Sequence, residues 1–115
     1  MIKKIVILAI WFFSFTSVAN ALTCPAALPT TDPGFCNSFV AAGTCYCANS
    51  LPKRMCMDMN LIFQRMIAMF GSIENACKFQ TETSVQTCLD DWQCYLKGGK
   101  DSHGGACSGT GKACA

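Results

Sequence analysis

The chain has 115 residues, with nine basic and seven acidic side chains, ten cysteines and one histidine. Its charges alternate in sign and form no basic stripe, which excludes a nucleic-acid footprint and electrostatic adhesion to anionic lipid. No C-x2-C pair occurs and His103 is the single histidine, so the spacing argues against a thiolate metal site.

The first element reads as an export signal. Lys3 and Lys4 precede an apolar run from Ile5 to Phe13, and Ala19 and Ala21 form a small-x-small ending. Such a run is too short to stay in a bilayer, so residues 1–21 are expected to be a signal peptide cleaved after Ala21, with no stable membrane anchor. The residues before Cys24 do not form a lipoprotein box. Cleavage removes Lys3 and Lys4, leaving a near-neutral chain long enough for one small domain and too short for two.

All ten cysteines remain after cleavage: Cys24, Cys36, Cys45, Cys47, Cys56, Cys77, Cys88, Cys94, Cys107 and Cys114. An even number behind an export signal in so short a chain reads as five disulfides, and places the product in a periplasm or outside the cell. The chain has no N-x-S/T sequon, which points to a bacterial route.

Residues 22–97 are expected to form a disulfide-stapled, all-α domain of three helices. In the first, Asp32 is the N-cap, Pro33 opens the helix, Phe35, Phe39 and Val40 share a side, and Gly43 ends it. The second is expected to run unbroken from near Leu51 to near Lys78, with Pro52 in its first turn. At 100° per residue, Met55, Met59, Ile62, Phe63, Met66, Ile67, Met69, Phe70 and Ile73 fall in an apolar arc of about 160°. Gly71 lies on the polar side, where it would cost about 1 kcal/mol of helix propensity. For the third helix, Thr83 and Gln86 make a capping box, Val85, Leu89, Trp92 and Leu96 form the inward stripe, and Gly98-Gly99 ends the pattern. The second and third helices should pack as an antiparallel hairpin. Residues 98–115 form a glycine-rich tail held by Cys107 and Cys114.

Geometry restricts the bridges. Cys56 and Cys77, on one helix, would lie about 31 Å apart and cannot pair, because partners need Cα atoms within about 7 Å. Cys77 and Cys88 fall at matching heights across the hairpin and are expected to staple it. Cys94 should point away from the core and tie down the tail through Cys107 or Cys114. Cys36, Cys45, Cys47 and Cys56 are expected to bond among themselves or to Cys24, with Cys45 and Cys47 taking different partners.

Function is less legible. Met55, Met57, Met59, Met66 and Met69 with His103 resemble Cu(I) thioether sites in composition, but all five except Met57 fall on the expected buried arc, where methionine is a core filler. Met57, Leu61 and Ala68, on the opposite side, are a candidate contact patch. Disulfide formation consumes every cysteine nucleophile. Asp101, Ser102 and His103 are adjacent in sequence, which does not by itself build a relay, and Asp90 and Asp91 diverge around their helix. Gly109 to Lys112 lack the rest of a phosphate loop. No family resemblance emerges from the cysteine spacing.

The expectation is therefore a monomeric, non-enzymatic binding or effector-type module without metal or cofactor, its partner a protein or an apolar small molecule. A carrier of an apolar ligand is the alternative, and a cavity of a few hundred Å³ between the second and third helices would favour it. An inhibitor or toxin-like peptide would need an exposed loop, for which Thr44 to Ser50 is the candidate.

Overall fold

The computed structural model describes residues 23–115; the expected signal peptide lies outside them. Four α-helices form among the described residues: α1 (Phe35–Ser50), α2 (Met59–Phe70), α3 (Ile73–Phe79) and α4 (Val85–Leu96). Short 3-10 turns occupy Lys53–Cys56 and Cys107–Gly109, and among the described residues β-type pairing is confined to one bridge between Lys100 and Ala106. The fold is all-α and disulfide-rich, as the periodicities require.

α1 begins after an Asp-Pro-Gly turn. The Gly34 amide donates to Asp32 Oδ1 at 2.7 Å, so Asp32 orders the approach while Gly34 takes the cap position. Phe35, Phe39 and Ala42, spaced by four and three, make the buried face. The helix does not stop at Gly43. It continues to Ser50 and ends where Pro52 disfavours helical backbone at Leu51, which is extended at φ −127°. Gly43 has a packing role instead, because Met59 lies against it. Thr44 to Ser50, the candidate inhibitor loop, is consequently helical.

The expected helix from Leu51 to Lys78 is divided into three pieces. Pro52 opens the 3-10 turn, and Asp58 caps α2 by accepting the Asn60 amide at 2.8 Å. Gly71 ends α2 in the left-handed region, at φ 88°, and Ser72 caps α3 through the Asn75 amide. The division changes the methionine arc. Met59 and Ile62 are buried at the start of α2 and Met66 is half-buried, whereas Met69, expected inside, is 68% exposed. Burial fades along α2 because the helix ends at Phe70 and carries Met69 on its last turn.

The cap of α4 is one residue later than expected. Ser84 accepts the Thr87 amide at 3.1 Å, while Gln86 turns forward to donate to Asp90. Trp92 sits at the centre of the core. Phe39 meets it edge-on at 4.9 Å between centroids, and Phe63 packs at 5.3 Å. Phe35 stacks on Phe39, and Tyr95 closes the cluster.

The bridges are Cys24–Cys45, Cys36–Cys114, Cys47–Cys56, Cys77–Cys88 and Cys94–Cys107. Cys77–Cys88 staples α3 to α4 across their loop, with 5.6 Å between Cα atoms, as expected. Cys45 and Cys47 take different partners, also as expected. Cys94 takes one of its two anticipated partners, but it does not point outward: it is fully buried, because Cys107 brings the tail over that side of α4. Cys36 departs from the N-terminal group and binds the tail at Cys114.

More than sulfur orders that tail. The Gly99 amide donates to Gly111 O at 2.7 Å, and the Cys114 amide donates to Tyr95 O at 2.9 Å. Gly98 permits the return, at φ 73°; a Cβ there would lie 2.5 Å from the Ala113 nitrogen.

Candidate functional site

α4 has two working sides. Cys88, Asp91, Trp92 and Cys94 are buried, while Gln86, Leu89, Gln93 and Leu96 recur at three- and four-residue spacings along a less covered stripe. That stripe floors an open groove of about 410 Å³. Phe63 of α2 and Ile73 and Glu74 of α3 form one wall; Lys100, Asp101 and Ser102 of the tail form the other, with Lys97 at its end. The apolar lining comes from Phe63, Ile73, Leu89, Trp92 and Leu96. The sequence pattern identifies Leu89 and Leu96 but assigns them to the core; the groove exists because the tail folds back beside α4 without covering them.

Hydrogen bonds hold the tail wall in place. Asp90, buried on α4, accepts the Ser102 hydroxyl at 2.8 Å and the Ser102 amide at 3.2 Å. Asp101 accepts the Thr30 hydroxyl at 2.8 Å and the amides of Gly105 and His103. The Thr30 hydroxyl, followed by the Gly105 amide, holds the Asp101 carboxyl below the usual carboxylate range. These two aspartates anchor the wall.

The Ser102 hydroxyl also lies 3.5 Å from His103 Nδ1. The arrangement is not a relay: the carboxylate engages the serine, and among the described residues neither aspartate accepts from the imidazole. No group of three or more His, Cys, Asp or Glu side chains converges among the described residues.

On sequence, Asp91 figures only as diverging from Asp90, and its burial is not anticipated. Its side chain is buried, and desolvation, with the Asp90 carboxylate adding to it, pushes its pKa up to about 7. The signal for this is faint, since α4's inward arc also contains the expected Trp92.

Met57, Leu61 and Ala68 are all exposed, Met57 to 78%. α1 leaves them uncovered. Met57 also borders a shallow apolar depression of about 350 Å³ with Thr44, Cys45, Ala48, Lys53 and Cys56. Met57 and the pair Leu61 and Ala68 are separated by the Asp58 cap, so the patch is not a face of one helix.

No known protein family, characterised protein or solved structure matches this chain. No helix among the described residues is long and apolar enough to cross a membrane.

Proposed function

We propose that this chain is an exported, non-enzymatic binding module, and that the groove along α4 receives an apolar group of a protein partner. The groove itself carries the reading: a hydrogen-bonded tail wall, apolar lining from Phe63, Ile73, Leu89, Trp92 and Leu96, and an open top leave a surface that a protruding side chain can fill. Five bridges fit a compartment where thiols oxidise, such as a periplasm or the extracellular space, and support a scaffold that stays folded there. No cysteine among the described residues is free to act as a thiol nucleophile.

Carriage of an apolar small molecule is a second reading, favoured by the groove's volume, which lies in the range of small-molecule sites. The filled ring cluster around Trp92 and the open top favour the first.

The test is affinity capture by the immobilised mature chain from cultures of the producing organism, repeated with Leu96→Lys and with Met57→Ser/Leu61→Ser after circular dichroism has verified both folds. Loss of one specific partner with Leu96→Lys alone supports the groove. Loss with the Met57 and Leu61 variant alone overturns it in favour of that patch. Mass spectrometry of a solvent extract of the natively exported protein checks the carrier reading, which requires a co-purifying apolar compound.

A further inference from the structure

The five bridges differ in their surroundings. Cys77, Cys88, Cys94 and Cys107 are buried, and Cys47 is bonded to the buried Cys56. Cys36 and Cys114 are both half-buried, and the adjoining Ala115 is exposed. Cys36 is the second residue of the sixteen-residue α1, whose start has no side-chain cap. Among the described residues no protein group accepts the Cys36 or Asn37 amide. Ser108 places its hydroxyl 3.2 Å from Cys36 Sγ and 3.8 Å from Cys114 Sγ.

Ser108 is held there against backbone preference. It is the one non-glycine residue with positive φ among the described residues, at φ 56° and ψ 22°. Its amide donates to Thr30 O at 2.6 Å, which fixes the turn. Glycine would adopt this backbone at no steric cost. What serine adds is a hydroxyl aimed at the two sulfurs.

We propose that Cys36–Cys114 is a thiol–disulfide exchange site, opened by an external dithiol with Cys36 as the leaving sulfur. Exchange quickens as the leaving thiol becomes more acidic. A helix N-terminus and a hydroxyl donor both stabilise the Cys36 thiolate. Cys24–Cys45 is similarly half-buried but has the Asn49 amide, 3.6 Å from Cys24 Sγ, as its side-chain donor, and Cys45 lies in the interior of α1.

One thiolate of the dithiol, its proton already lost to solvent, attacks Cys114 Sγ. A mixed disulfide forms as the Cys36–Cys114 bond breaks, and Cys36 departs with the electron pair. The second thiol gives its proton to solvent and displaces Cys114 as thiolate. The dithiol leaves as its own disulfide, and the protein is reduced by two electrons. Cys94–Cys107 keeps the earlier tail in place, so opening is confined to the start of α1 and the last residues, whose amides are bonded to Tyr95 O.

The test is a time course of the oxidised mature chain in dithiothreitol, quenched by acid, alkylated with N-ethylmaleimide and mapped by peptide mass spectrometry. Cys36 and Cys114 are expected to be labelled first, about ten-fold faster than any other pair. Glutathione should leave its adduct on Cys114. Ser108→Gly, which suits the backbone, should slow opening about five-fold, the equivalent of one hydrogen bond. First opening at another bridge, an adduct on Cys36, or an unchanged rate in Ser108→Gly would overturn the proposal.

Discussion

Gly43 and Met59 meet where α1 crosses α2: a Cβ at Gly43 would lie 3.0 Å from Met59 Cε and 3.2 Å from its Sδ. A glycine inside a helix is unfavourable by about 1 kcal/mol relative to alanine, and here it makes room for a buried thioether. Gly43→Ala should therefore change stability little, the propensity gain offset by displacement of the methionine methyl. Gly43→Leu should lower stability by about 2 kcal/mol or more through overpacking. Denaturant midpoints of the two variants provide the check; a leucine variant as stable as the parent would show that the contact is loose.

Gly71 distinguishes one continuous helix from two. In an unbroken helix, Gly71→Ala would stabilise by about 1 kcal/mol. At φ 88°, with its amide bonded to Ile67 O and Asn75 Nδ2 donating to Phe70 O, the residue is a left-handed stop. Gly71→Ala should instead cost about 1–2 kcal/mol. The sign of the shift in thermal midpoint decides between them.

The cap of α4 gives a paired test. Ser84→Ala removes the acceptor of the Thr87 amide and should cost about 1 kcal/mol. Thr83→Ala, which the capping-box reading would make the costly change, should have a smaller effect, because the Thr83 hydroxyl serves only the neighbouring Ser84 carbonyl. Equal losses would mean that the two hydroxyls share the cap.

The legible parts of the fold were those set by local periodicity. Phe35 and Phe39, the inward place of Trp92, and the matched heights of Cys77 and Cys88 depend on residues a few turns apart; Val85, expected on the same inward stripe, is instead exposed in the first turn of α4. What failed depended on single residues with two possible uses. Asp58 and Gly71 can sit on the polar side of one long helix or divide it, and the apolar spacing of the methionines is nearly the same either way. Leu89 and Leu96 have the spacing of core residues; their place in an open groove follows from where the tail lies. That path depends on Asp90 accepting from Ser102 and Asp101 accepting from Thr30, side-chain contacts that spacing alone does not specify.

Asp91 should make stability depend on pH near neutrality. Its carboxyl is raised from the ordinary 3.8 to about 7 by desolvation first and by Asp90 second. Between those values the unfolded chain has already released a proton that the folded chain keeps. This contribution to stability is therefore fully present below about pH 4 and is lost as pH rises through 7, at no more than about 1.4 kcal/mol per pH unit. Partial contact with water reduces the total. Asp101 works with the opposite sign and in another window: its lowered carboxyl favours the fold at neutral pH, and that favour disappears as acid protonates it below the ordinary 3.8. Asp91→Asn keeps the shape and cannot ionise, so it should be more stable than the parent at pH 8 by about 2 kcal/mol and indistinguishable from it near pH 3.5. Guanidinium unfolding of both proteins across that range, with the bridges intact, measures the difference. A parent whose stability is flat from pH 4 to 7, or an asparagine variant without advantage at pH 8, would mean that water reaches the Asp91 carboxylate and relieves the burial.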